Sequence, residues 1–91
     1  MPTKAIYLYA DWCSSCQIIA PFIEQLKTEM EEIEFTKINV DEHPQVAAAF
    51  KARNVPTFIL FEDGKEISRK SGTISKSELR QFLTSKEWKR L

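Results

Sequence analysis

Cys13 and Cys16 are the two cysteines of the chain, and they fall at the seam between an apolar run and an amphipathic one. Residues 4–9, Lys-Ala-Ile-Tyr-Leu-Tyr, are β-prone and apolar at nearly every position, which fits a central strand covered on both faces. From Ser14 to Met30, the residues Ile18, Ile19, Phe22, Ile23, Leu26 and Met30 recur at helical spacing and read as one buried stripe. Pro21 inside that stripe predicts a kink. A C-x-x-C where a strand passes into a helix, within a βαβ pattern, reads as a dithiol redox site.

The rest of the chain supplies the frame. Residues 34–40, Glu-Phe-Thr-Lys-Ile-Asn-Val, alternate as a second strand. Asp41-Glu42-His43-Pro44 is a turn that opens a second helix over residues 44–52, with Pro44 at its first position. This helix presents Val46, Ala47 and Phe50, and the small Ala48 and Ala49 permit close approach to a sheet. Residues 57–62 are a strongly apolar third strand, Asp63-Gly64 signals a two-residue hairpin, and residues 65–71 return as a polar edge blunted by Lys65, Arg69 and Lys70. Ser75-Lys76-Ser77-Glu78 is a capping box starting a last helix with Leu79, Phe82 and Leu83 on one face. Trp88, in the tail, is available to dock on the core or to stay partly exposed. The order β-α-β-α-β-β-α predicts an α/β fold: a four-stranded mixed sheet flanked by three helices on its two faces. No linker or repeat divides it, so residues 1–91 read as a single domain.

Composition narrows the function. Lys+Arg and Asp+Glu number 13 each, for zero net charge, which argues against an electrostatic nucleic-acid binder. No apolar run approaches the roughly 20 residues of a membrane helix. Met1-Pro2-Thr3-Lys4 lacks the apolar segment of a signal peptide, so a cytoplasmic protein without a membrane partner is the default expectation. Cysteines in that compartment are catalytic or metal-binding more often than structural. A zinc or iron–sulfur centre needs about four ligands, which the cysteine pair and the distant His43 do not supply without a second subunit. No G-x-G-x-x-G is present to hold a nicotinamide or flavin. No cofactor is expected beyond the sulfurs themselves, and the electrons must come from a reductase protein.

The spacing assigns roles. Thiolates, not thiols, attack disulfides. Cys13 stands at a helix start, where free N–H groups and the helix dipole favour an anion, so it is the expected nucleophile. Cys16, one turn further in on the same side, is the more buried resolving thiol. Asp11 either perturbs Cys13 or simply solvates the loop, and Trp12 reads as cover for the dithiol. The Val55–Pro56 bond is, from the residues alone, trans or cis.

At this point the sequence resembles the thioredoxin family. Tyr-Ala-Asp-Trp-Cys-Ser-Ser-Cys at 9–16 is similar to that family's signature, Ile19-Ala20-Pro21 to its kinked helix, and Lys37-Ile38-Asn39-Val40-Asp41 to its second-strand motif. Val55-Pro56-Thr57 resembles its cis-proline loop, Asp63-Gly64 its hairpin, and Lys70-Ser71-Gly72 with Ser75-Lys76 its last strand and helix start. The resemblance implies a cis Pro56, a substrate groove bordered by Trp12, Val55, Pro56 and Gly72, disulfide-containing protein substrates, a thioredoxin-reductase-type electron donor, and a monomer.

Three departures set this chain apart from the pattern. The N-terminal strand and helix of full-length thioredoxins have no counterpart, which predicts a minimal core with residues 34–40 at an exposed edge. Ser14-Ser15 replaces Gly-Pro between the cysteines, adding a backbone N–H and two hydroxyls near the sulfurs and pointing to a less reducing protein. Tyr7 occupies the place of the family's buried aspartate, while its lysine partner is kept as Lys37. A buried Lys37 without a carboxylate is costly, so it is expected to reach solvent or to bond the Tyr7 hydroxyl, with Lys37 or water serving proton transfer at Cys16.

The expectation is thus a thioredoxin-type protein-disulfide reductase. The alternatives are a non-catalytic binding module with an idle dithiol, and a more oxidising glutaredoxin-like or isomerase-type exchanger.

Overall fold

The computed structural model describes residues 3–84. Its elements are β1 (Thr3–Tyr9), α1 (Ser14–Glu29), β2 (Ile33–Asn39), α2 (Pro44–Ala49), β3 (Thr57–Glu62), β4 (Lys65–Ser71) and α3 (Lys76–Thr84). The predicted docking of Trp88 falls outside the described residues.

The four strands form one mixed sheet in the order β2-β1-β3-β4. β1 pairs with β2 in parallel and with β3 antiparallel, and β3 pairs antiparallel with β4. The apolar β1 and β3 are therefore central, and the more polar β2 and β4 are the edges, as their sequences require. Alternation along the strands sorts the core onto two faces. Ala5, Tyr7, Phe58 and Leu60 meet Ile19, Ile23 and Leu26 of α1 and Leu79 and Leu83 of α3 on one face. Ile6, Leu8 and Ile59 meet Ala47 of α2 on the other.

Two local signals are realised as read. Asp63 and Gly64 both have positive φ, 53° and 81°, the backbone a two-residue turn of primed type needs. At the start of α3, the Ser75 hydroxyl accepts the Glu78 N–H and the Glu78 carboxylate accepts the Ser75 N–H, each at 3.1 Å, a reciprocal capping box.

Expectations for α1 and α2 are corrected. Ile18 is 70% exposed. The buried stripe of α1 runs through Cys16, Ile19, Ile23 and Leu26, and Ile18 lies about 100° around the helix from Ile19. α2 stops at Ala49, three residues short of the expected end. Lys51 takes a left-handed φ of 57°, its N–H donates to Ala48 and the Ala52 N–H donates to Ala47. That is a Schellman closure, with lysine where glycine is usual. Ala47 packs on the sheet, while Ala48 and Ala49 are exposed.

Candidate active site

Cys13 is the N-cap of α1, with extended backbone (φ −87°, ψ 107°). Its sulfur accepts the N–H of Cys16 at 3.2 Å and lies 3.5 Å from the Ser15 hydroxyl. No acidic residue occupies the first turn of α1, so the N–H dipoles there have no competing side-chain carboxylate. Cys13 and Cys16 are joined as a disulfide, with Cα atoms 5.2 Å apart. They are 6% and 2% exposed. Ala10, Tyr9, Val40 and Val55 pack around them. The Cys16 N–H at the helix start favours a sulfur anion on reduced Cys13, while the apolar packing limits its hydration and opposes the charge.

The Val55 part of that packing comes from the loop before β3. Val55–Pro56 is cis. The Pro56 carbonyl accepts the Gly72 N–H at 2.9 Å, which locks the loop to the end of β4. Gly72 has φ 89° and open space where a Cβ would stand, so it is the backbone conformation, not crowding, that favours glycine there. Among the described residues, no backbone–backbone hydrogen bond uses the N–H or C=O of Val55. Trp12 is 68% exposed, and its indole N–H donates to Asp41 Oδ2 at 2.8 Å. Trp12 and Val55 line a shared cleft of about 240 Å³ with Val40, Ala52, Arg53 and Asn54. Of these, Val55 packs on the dithiol, Trp12 shares the cleft with Val55, and Gly72 is bonded to Pro56, the neighbour of Val55. Ser14 is exposed and Ser15 half-buried. The Trp12–Asp41 bond spans 29 residues and had no local signal in the sequence.

Beneath the sulfurs lies an aromatic stack. Tyr7 stacks on Tyr9 and Phe58, with centroids 5.4 and 5.0 Å apart. Tyr7 is 2% exposed, and its hydroxyl donates to the carbonyl of Cys16 at 3.3 Å. Burial, and secondarily Tyr9, push its pKa up to about 12. Of the two expectations for Lys37, the exposed one holds. Its ammonium lies 4.0 Å from Glu24 and 5.2 Å from the centre of the Tyr9 ring, and the Tyr7 hydroxyl is spent on Cys16 instead. Lys37 still reaches the mouth of a cleft of about 200 Å³ that Tyr7, Asp11 and Cys16 also line.

His43 is the exposed N-cap of α2 and makes no side-chain cap. The Asp11 carbonyl accepts Gln17 Nε2 at 2.8 Å, which braces the loop before the dithiol. Among the described residues, no group of three or more His, Cys, Asp or Glu could hold a metal ion, and no helix is long and apolar enough to cross a membrane.

Residues 3–85 match the family model described as Thioredoxin. The chain is 38% identical over 78 residues to a thioredoxin of Chlamydia caviae, covering 86% of this chain and 76% of that one. It is 35% identical over 75 residues to a thioredoxin of Mycoplasmoides gallisepticum, covering 82% and 75%. The X-ray structure of Fasciola hepatica thioredoxin superposes with a TM-score of 0.86 at 37% identity, covering 91% of this chain and 79% of that one.

Proposed function

The chain belongs to the thioredoxin family and is by that membership and its Cys13–Cys16 pair a thiol–disulfide oxidoreductase; from that premise we propose that it reduces protein disulfides. The reduced Cys13 thiolate attacks one sulfur of a substrate disulfide. The substrate S–S bond breaks, its second sulfur leaves as a thiolate and takes a proton, and Cys13 is held in a mixed disulfide. Cys16 gives up its proton and attacks Cys13, which releases the first substrate sulfur as a thiol and closes the Cys13–Cys16 disulfide. Two electrons pass from the dithiol to the substrate. A thioredoxin-reductase-type donor restores them, with no cofactor on this chain.

The observation that carries this reading is the placement of Cys13. Its sulfur caps α1 and accepts a helix N–H, and it packs against Val55. The unpaired main-chain groups of Val55 suit an extended substrate segment. Trp12, Pro56 and Gly72 border that segment. The Ser15 hydroxyl beside Cys13 Sγ supports a stabilised Cys13 thiolate in the reduced form and hence a less reducing potential than a Gly-Pro spacer would give. We place the protein in the cytoplasm, acting as a single-domain monomer.

A reductase-coupled assay of protein-disulfide reduction, paired with an equilibrium titration against glutathione, tests this. The wild type is expected to turn over, Cys13→Ser to be inactive, and Cys16→Ser to accumulate a mixed disulfide. Undiminished turnover by the Cys13→Ser, Cys16→Ser double variant would reject the reading and favour a binding module.

A further inference from the structure

Among the residues that line the cleft beside the dithiol, Arg53 is the charged one. Among the described arginines, Arg69 is paired with Glu66 and Arg80 with Glu29. Arg53 is exposed and has no ion pair or hydrogen bond to any described residue. Its backbone is nonetheless pinned on both sides. The Ala52 N–H is bonded to Ala47 O, and the Asn54 carbonyl accepts the Thr57 hydroxyl at 2.5 Å. The side chain therefore starts from a fixed point on the cleft wall.

That cleft continues into the dithiol site. Val40 and Val55, which line it with Trp12 and Arg53, also pack around Cys13 and Cys16. On the Trp12 side, the Asp41 carboxylate accepts the indole N–H. The two walls thus differ in polarity: the Asp41 carboxylate stands behind Trp12, and the Arg53 guanidinium is on the wall with Val55. A guanidinium presents a planar fork of donors that matches a carboxylate. Arg53 stands two positions before Val55, in the loop that bends over residues 54–56.

We infer that Arg53 is a specificity-determining residue that favours disulfides carrying an acidic side chain beside the cysteine that Cys13 attacks. This rests on the reductase reading above. The attack is the balanced exchange already described. Arg53 does not touch the reacting sulfurs; it raises the encounter rate and lowers KM for acidic substrates.

The test uses the pre-reduced protein and three disulfide peptides that differ in one flanking residue: Glu, Gln or Lys. Single-turnover reduction rates are measured at low and high salt. The expected order is Glu, then Gln, then Lys, with about three- to tenfold between the extremes at low salt, shrinking at high salt. Arg53→Gln should narrow that spread to under about twofold, and Arg53→Glu should invert it. Equal, measurable rates for the three peptides, or an unchanged order in Arg53→Gln, would overturn the Arg53 assignment and leave the reductase reading standing. Failure to reduce any of them would overturn both.

Discussion

The hydroxyl of Tyr7 donates to the carbonyl of Cys16 across 3.3 Å, tying the central strand to the first turn of the helix that carries the dithiol. The place beneath Cys16 is filled by a neutral, stacked phenol. It supplies a hydrogen bond and packing, and it does not carry a charge at neutral pH.

Tyr7 should leave a signature in alkaline unfolding. Its folded pKa, about 12, stands above the ordinary 10.0. The fold therefore favours the protonated phenol, and the stability that follows is fully present below pH 10 and lost as pH rises toward the folded value. The size is about 2–3 kcal/mol. Tyr7→Phe should be about 1 kcal/mol less stable than the wild type near neutrality, through the lost hydrogen bond. In urea unfolding, that gap should close or reverse between about pH 10 and 11.5. A gap that stays constant with pH would refute the account.

Lys37 is the cation at the mouth of the cleft that Cys16 lines. Lys37→Met should shift the pH–rate profile of mixed-disulfide resolution to higher pH, because a positive charge favours the thiolate. Stopped-flow resolution measured across pH checks this. An identical profile would assign proton transfer at Cys16 to water alone.

Lys51 closes α2 in a left-handed conformation that costs a non-glycine residue about 1 kcal/mol. Lys51→Gly should stabilise the protein by a few tenths to about 1 kcal/mol, the gain being reduced by glycine's greater freedom in the unfolded chain. Chemical denaturation would detect it as a raised midpoint with an unchanged slope. A lowered midpoint would count against the capping account.

Arg80 and Glu29 join α3 to α1 at 2.6 Å. The Arg80 hydrogen bond, then that of Gln25, hold the Glu29 carboxyl below its ordinary 4.5. Because the folded value is depressed, the stability is present above the ordinary range and is lost as pH falls through the folded value. The wild type should exceed Arg80→Gln in Tm at neutral pH. That advantage should fade in acid and in high salt, since both groups are exposed. Equal thermal shifts at pH 7 and pH 3 would contradict the pairing.

Much of the frame was legible residue by residue. Asp63-Gly64 specifies its hairpin because the two-residue turn needs two positive φ angles. Ser75 and Glu78 specify the start of α3 because they satisfy each other's backbone donors. Ile18 was misread because a count of apolar residues does not resolve which of two adjacent isoleucines faces the sheet. The register shift between Leu60 and Phe61 in the β3–β4 pair and the early end of α2 left no local mark that pattern reading detects.

The sequence by itself determined the strand–dithiol–helix junction and the order of the elements. Periodicity, capping and turn chemistry act over a few residues and are written in them. Only the tertiary structure decided what surrounds the sulfurs. The strand order β2-β1-β3-β4 brings Val40 and Val55 to Cys13, sets the Tyr7 hydroxyl under Cys16, gives the Trp12 indole to Asp41 and leaves Arg53 on the cleft wall with no ion pair to any described residue. Those relationships join segments far apart in the chain. They depend on which partner each polar group finds once the sheet is assembled, and no local pattern encodes that choice.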